Sequence, residues 1–240
     1  MLFRSVCSSW RRGPIILVLA VIACLAMQAA EVAQAQMAYP MVMTIRPVAA
    51  QVGATSEHTI QSRYTMEGAY EVLVSGRGVR GEVMPVPPAA PVADGKKKPE
   101  LTSLKVQFIV AADAEPGVRD VRIATPQGVS TVGQLVIARD PIVRESDKND
   151  TAELAQIVTL PATLCGAIEK AEDVDWYKFH VEAGTALTFH VRSSRLQDRI
   201  HDLQTHSDPI ITLRTASGQT VAANDNFFFG DPLLSHRFEQ

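Results

Sequence analysis

Residues 173–191 hold two runs in which apolar and polar side chains alternate, separated by the short segment Glu182-Ala183-Gly184. Alternation with a period of two places successive side chains on opposite faces of a strand, whereas a helix requires a period of about 3.6 residues. Two such runs around a Gly-containing turn predict a β-hairpin. The side chains that share the apolar face of each run are Tyr177, Phe179, Val181, Leu187, Phe189 and Val191.

The same kind of pattern recurs through the preceding part of the chain, where short apolar segments are separated by Gly- and Pro-containing turns. In the segment around residues 57–61, His58 and Ile60 are predicted to face inward. Several short strands with turns about every 8–12 residues indicate an all-β sandwich. The predicted strands are residues 42–46, 57–61, 70–75, 104–110, 118–124 and 133–138.

The N-terminus has the composition of a secretory signal peptide. Arg11 and Arg12 precede an apolar stretch at residues 14–27, and Ala33-Gln34-Ala35 offers a small-residue cleavage site. The apolar stretch is shorter than the roughly 20 residues that span a bilayer, which disfavours an uncleaved membrane anchor. We therefore expect export to the periplasm, the cell surface or the medium, without a transmembrane anchor after cleavage. Lipidation at Cys24 is a less favoured alternative, because the following residues stay apolar.

The charge of the exported chain restricts the classes of partner that it can bind, and its cysteine content restricts the disulfides that it can form. Cleavage after Ala35 leaves 20 basic and 25 acidic side chains, from 23 and 26 in the full sequence, and a formal net charge of −5. A nucleic-acid partner would require a basic surface and is not expected. Cys165 is the one cysteine left, so no internal disulfide is expected, and its surroundings predict a small, half-buried core residue.

Composition also predicts the domain boundaries. A first domain is expected at residues 36–139, interrupted by a Pro- and Lys-rich loop at 84–100 that cannot donate a regular ladder of hydrogen bonds. An acidic linker follows at 140–150, and a second β domain at 151–240. The fold class expected is therefore two β-sandwich domains after a signal peptide.

The first domain resembles the immunoglobulin-like IPT/TIG type found in secreted bacterial proteins. The similarity is carried by Arg46-Pro-Val-Ala-Ala-Gln-Val-Gly-Ala-Thr55 and by Asp113-Ala-Glu-Pro-Gly-Val-Arg-Asp-Val-Arg-Ile-Ala-Thr-Pro-Gln-Gly-Val-Ser130. It covers about residues 41–139. Because small β-sandwiches share turn chemistry, these motifs are moderately specific. The resemblance implies an immunoglobulin-like sandwich with the loop at 84–100 as an insertion.

The second domain resembles the bacterial pre-peptidase C-terminal (PPC) domain, which is related to the collagen-binding domains of clostridial collagenases. Ordered blocks over about 90 residues carry the resemblance and imply a jelly-roll-like sandwich. Members of the family continue into a Gly-x-Tyr strand that is not found before Gln240, so we expect a fragment of a longer protein. Five of the blocks begin at Glu145, Leu160, Glu172, Glu182 and Ser207, and a sixth is Asp231-Pro-Leu-Leu234.

Recognised catalytic motifs are missing from the sequence. No His-Glu-x-x-His, Cys-x-x-Cys, Gly-x-Ser-x-Gly or phosphate-loop pattern is present. The His and Asp side chains at residues 201–208 could in principle bind zinc or act as a catalytic acid and base. Their spacing places them on one face of neither a helix nor a strand. A solvated loop is therefore the favoured interpretation. The members of that group are His201, Asp202, His206 and Asp208.

Calcium is the better metal candidate. Side chains with oxygen donors alternate along the linker, and two more carboxylates lie at the start of the predicted hairpin. A hard cation such as calcium takes about six to eight oxygen ligands. In collagenase-type relatives an acidic, Asn-containing linker and an Asp-x-Asp segment together bind calcium, and the resemblance implies the same here. A solvated acidic linker without an ion is the open alternative. The candidate ligands are Glu145, Asp147, Asn149, Asp150, Asp173 and Asp175.

These observations favour an exported, non-catalytic binding or adhesion module that acts on protein or polysaccharide at the cell surface. Two alternatives stay open. The domains are accessory parts of a secreted, peptidase-like hydrolase whose catalytic domain lies outside this chain, or they are spacers in a large surface protein. Apart from calcium, no cofactor is expected.

Overall fold

The computed structural model describes residues 39–87, 99–146, 148–168, 170–196, 208–228 and 230–239. The predicted signal peptide lies outside the described residues, as do Cys24 and most of the Pro- and Lys-rich loop. The fold is all-β, with two single-turn 3-10 helices at Ala152–Leu154 and Ser194–Leu196. In the described part of the chain, no helix is long and apolar enough to cross a membrane.

The first nine strands form one large, mostly antiparallel sheet. Its hydrogen-bonded order is β1-β3-β6-β5-β4-β7-β9-β2, with the short β8 paired to β7. The parallel pair is β2 with β9. The strands are β1 Val42–Arg46, β2 Ala49–Gln51, β3 Thr55–Ser62, β4 Glu71–Val74, β5 Val79–Val83, β6 Ser103–Val110, β7 Gly117–Thr125, β8 Gly128–Val129 and β9 Gly133–Ala138.

The inward side chains of this sheet form the main hydrophobic core. The predicted orientation of His58 and Ile60 is confirmed, because both are buried. The His58 ring meets Phe108 edge-on, with centroids 4.9 Å apart. Gly81 allows β5 to approach this core, since a Cβ atom there would lie 2.5 Å from a methyl of Val72. Side chains buried almost completely are Ile60, Met66, Leu104, Phe108, Ile123, Leu135 and Ile137.

In the described residues after β9, eight further strands are joined in four two-stranded sheets. The pairs β10–β12 and β11–β13 are parallel, and the pairs β14–β17 and β15–β16 are antiparallel. The predicted linker thus includes a strand, β10. The bounds are β10 Ile142–Arg144, β11 Gln156–Ile157, β12 Thr163–Cys165, β13 Tyr177–Lys178, β14 Ala186–His190, β15 Ile211–Arg214, β16 Thr220–Asn224 and β17 Leu233–Arg237.

The predicted hairpin at residues 173–191 is wrong in its pairing. β13 pairs with β11, and β14 pairs with β17, so the two runs belong to different sheets. The turn itself is present, with Gly184 at a φ of 83°. The alternation correctly identifies the inward faces, because the Phe179 and Phe189 rings meet at 5.6 Å. The segment therefore crosses between two sheets instead of folding back within one.

The core of these later strands is smaller than that of the large sheet. Phe179 also meets Phe238, at 6.1 Å between ring centroids. Cys165 is more deeply buried than the half-buried position that the sequence predicts, and burial raises the pKa of its thiol. The other buried hydrophobic side chains of this part are Val158, Leu213 and Leu234.

Asp231, just before β17, is fully buried and fully hydrogen-bonded. Its carboxylate accepts from the backbone N–H groups of Ser193, Ser194 and Arg195, at 3.0, 2.6 and 3.3 Å. The Arg195 guanidinium adds a bond of 2.7 Å from Nε. Burial alone would raise the pKa of Asp231, but these donors outweigh it and lower the pKa. The bonds fix the 3-10 helix at Ser194–Leu196 to the start of β17.

Candidate cation site beside β10

Two segments of the chain bring the predicted calcium ligands together. Glu145 follows β10, and its N–H donates to the carbonyl of Cys165 in the strand paired with β10, at 2.9 Å. Four residues later the carbonyl of Asn149 accepts from the N–H of Trp176, at 2.8 Å. Asp175, which precedes Trp176, is thereby held against the linker segment. Asp147, the sixth predicted ligand, lies outside the described residues.

Glu145 and Asp175 form a hydrogen-bonded carboxyl pair. Burial raises the pKa of Asp175 to about 7, helped by the hydrogen bond to Glu145 and by the charges of Glu145, Asp173 and Asp150. Like charges this close favour a proton on one of the two groups. A second Glu145 contact is the bond from the N–H of Ala167 to Oε2, at 2.8 Å. A cation that replaced the proton would relieve the same repulsion.

Asp150 and Asp173 lie on either side of the Lys170 ammonium. Lys170 Nζ is 3.6 Å from Asp150 Oδ2 and 3.7 Å from Asp173 Oδ1. The Asp173 side chain is nearly buried, whereas the Lys170 and Asp150 side chains are exposed. The cluster therefore reaches from a sheltered interior, at Asp173, to the solvent.

The Asn149 side chain adds a buried amide to this cluster. The residue is 1 % exposed, and its Nδ2 atom has no hydrogen-bond partner within normal geometric limits. Burial and the charges of Glu145 and Asp175 raise the pKa of the Tyr177 hydroxyl, and the interaction of that hydroxyl with the Asn149 side chain opposes the rise. Buried side-chain amides normally have partners. Rotation of the amide by a half-turn would present Oδ1 to the same space, since its O and N atoms are nearly equivalent in shape.

The five described candidates thus converge, although not as a finished metal site. Among the described residues, no group of three or more His, Cys, Asp or Glu side chains is arranged to hold a metal ion. One pair of carboxyl groups is hydrogen-bonded, with a raised pKa at Asp175, and the other two carboxylates flank a lysine. Sequence reasoning missed Lys170 and Tyr177. The i,i+3 spacing of Lys170 and Asp173 could have identified the lysine, but no comparable signal marks the tyrosine.

Other titratable groups of the described chain have structural roles. His58 is buried and has a partner on each ring nitrogen, and Asp231 is saturated with donors. Neither has a free position from which to transfer a proton to a substrate. Of the predicted His/Asp group, residues 201, 202 and 206 lie outside the described residues, and Asp208 is exposed.

Comparison with known proteins adds no family to this geometry. No protein-family model matches the chain, and no curated protein matches it either. The resemblances to the IPT/TIG and PPC domains therefore stay predictions that rest on the sequence motifs alone.

Proposed function

We propose that this protein is an exported, non-catalytic binding module that acts on protein or polysaccharide at the cell surface. A calcium ion bound between Glu145 and Asp175 would stabilise its later strands. The observation that carries the proposal is the convergence of four carboxylates and the buried Asn149 amide at the point where the linker meets β13. Calcium favours oxygen ligands of this kind, and the family resemblance implies the same ion.

An exposed aromatic group beside β17 supports the binding role. Phe227 is 57 % exposed and meets the ring of Phe228 at 4.6 Å. The guanidinium of Arg195 lies 4.4 Å from the centre of the Phe228 ring. Aromatic and arginine side chains are enriched where proteins contact their partners. The sequence predicts that at least one of the three consecutive phenylalanines from Phe227 is either exposed or covered by further residues of a longer chain, and these two alternatives stay open.

Calcium binding is tested by thermal unfolding of the full chain in calcium and in chelator. A ligand that binds only the folded state stabilises it by about 2.7 kcal/mol at 100 times its Kd, which corresponds to a rise in Tm of about 5–10 °C. Asp173→Asn should abolish the rise. Asp225→Asn, at an exposed acidic residue outside the cluster, should retain it. Identical melting curves in millimolar calcium and in chelator would contradict the site.

Ligand binding is tested by cosedimentation with insoluble collagen, cellulose and chitin in the presence of calcium. We expect the protein to pellet with at least one of them. Phe227→Ala should reduce the pelleted fraction, because it removes the exposed ring. Tyr70→Ala, which removes an exposed aromatic side chain from the large sheet, should not. Protein that stays in the supernatant with all three polymers would contradict the binding role.

A further inference from the structure

The exposed aromatic group beside β17 packs against a histidine and an arginine that contact each other. His190 is the last residue of β14, and its ring centroid lies 5.5 Å from that of Phe228. The Arg195 guanidinium lies 4.4 Å from the centre of the same Phe228 ring. His190 Nε2 is 2.6 Å from Arg195 Nη2. Phe228 therefore touches two side chains that are hydrogen-bonded to one another.

The arginine fixes the protonation state of the histidine in this arrangement. A guanidinium stays charged in proteins and offers donors alone, so His190 Nε2 must accept the hydrogen bond from Arg195. A ring that accepts at Nε2 is neutral and carries its proton on Nδ1. Protonation at Nε2 would place one N–H group against another and add a second positive charge beside the guanidinium. The hydrogen bond therefore requires a neutral His190.

We infer that the contact of His190 with Arg195 and Phe228 is a pH-dependent switch, in which protonation of His190 moves its ring away from Phe228 and uncovers one face of the Phe228 ring. The switch sets how much aromatic surface this part of the molecule offers to a partner. It depends on the geometry of the three side chains and not on the identity of any ligand, so it stands whether or not a polymer binds there.

The other contacts of the two side chains determine that the histidine moves and the arginine stays. Arg195 Nε donates to the buried Asp231 carboxylate at 2.7 Å, and Nη2 also donates to the carbonyl oxygen of Val191 at 3.1 Å. The His190 ring is exposed, and its bond to Arg195 is the one hydrogen bond that it makes within the described residues. The backbone of His190 is held opposite Leu233 in β17. Rotation of the His190 side chain therefore relieves the repulsion with the fewest broken contacts.

The charged groups around His190 set the pH range of the switch. Partial desolvation and the charges of Arg192 and Arg195 lower the pKa of His190, and the charge of Asp231 opposes them. Arg192 follows β14, Arg195 belongs to the 3-10 helix, and Asp231 precedes β17. An unperturbed histidine has a pKa of about 6.5. The ring is therefore neutral at pH 7.5 and takes up its proton in mild acid.

The experiment is NMR spectroscopy of the full chain, labelled with 13C and 15N in histidine and phenylalanine, between pH 7.5 and pH 5. At pH 7.5 the nitrogen shifts should place the His190 proton on Nδ1, and a nuclear Overhauser effect should join the His190 and Phe228 rings. At pH 5 that effect should be lost. A proton on Nε2 at pH 7.5 overturns the inference. So does an effect between the two rings that persists once His190 is protonated.

His236 is the matched control for this measurement. Its ring packs edge-on against that of Phe238, with centroids 4.8 Å apart, and in the described part of the chain it has no hydrogen bond to an arginine. The nuclear Overhauser effect between the His236 and Phe238 rings should therefore be retained at pH 5. Its loss together with the His190 effect would indicate a general loosening of these strands in acid and would overturn the switch.

A substitution at His190 tests whether the charge of this side chain uncovers Phe228. His190→Gln keeps an oxygen that can accept from Arg195 and cannot take up a proton in this range. Broadening of the Phe228 ring signals by a soluble gadolinium chelate reports their exposure to solvent. Between pH 7.5 and pH 5 the broadening should increase in the wild type and stay constant in His190→Gln. An equal response of the two proteins contradicts the inference.

Discussion

At the scale of single residues, His58 shows how the large sheet accommodates a polar ring in its core. Its Nδ1 atom lies 2.7 Å from the carbonyl oxygen of Pro47, and its Nε2 atom lies 2.8 Å from Ser56 Oγ. In the neutral ring one nitrogen donates to the carbonyl and the other accepts from the hydroxyl. Both ring nitrogens are satisfied without a charge, so the burial of His58 costs little.

This arrangement predicts a loss of stability in mild acid. Burial lowers the pKa of His58, and the charge of Arg144 adds to the effect despite the opposing bond to Pro47. As the pH falls below about 6.5, the unfolded chain takes up the proton before the folded one does, so the free energy of unfolding falls by up to about 1.4 kcal/mol per pH unit. Urea unfolding between pH 7 and pH 5 measures this slope. In His58→Gln the free energy of unfolding should fall less between pH 7 and pH 5 than in the wild type. In His180→Gln, a change at an exposed residue, it should fall as much as in the wild type.

At the scale of elements, the hydrogen bonds to Asp231 join β17 to a helical turn that lies far from it in the sequence. Asp231→Asn should lower the free energy of unfolding by about 3 kcal/mol, because the Arg195 charge loses its partner and an acceptor becomes a donor. Denaturant unfolding at pH 7 measures the loss. Asp225→Asn, at an exposed position, should stay within about 0.5 kcal/mol of the wild type. An equal effect of the two substitutions would contradict this role.

The same scale shows what the sequence could predict and what it could not. Alternation predicted the inward faces correctly, since side chains at positions such as Ile60 and Phe189 must avoid water whichever strand lies beside them. It did not predict the pairing of β13 and β14. Pairing depends on contacts between distant segments, here Gln156 with Tyr177, and a turn with Gly184 is compatible with either outcome.

For the candidate site, residue types and the family resemblance predicted a set of calcium ligands, and calcium binding by that set stays a prediction. Asp173 and Asp175 do lie against the segment that holds Glu145 and Asn149. Local pattern could not predict the raised pKa of Asp175, because the pKa depends on burial and on the distance between two segments. The Asn149 amide was expected as a ligand, but its complete burial follows from the tertiary fold alone.

At the scale of the whole molecule, the described strands fall into two sets of unequal stability. The large sheet contains the main core, whereas the later strands bury few large side chains. Amide hydrogen exchange should therefore be slowest in β3 and β6 and faster by orders of magnitude in β14 to β17. Calcium should slow exchange mainly in β10 and β13. Uniform protection across both sets would contradict this difference.

The parallel pairing of β2 with β9 has a consequence for the time at which the first half folds. Ala49 lies opposite Val136, so the sheet joins one of its earliest residues to one of its last. A growing chain cannot form this contact until the residues of β9 have been synthesised, and closing so long a loop has a large entropic cost. The first sheet can therefore be completed only after the residues of β9 have been synthesised.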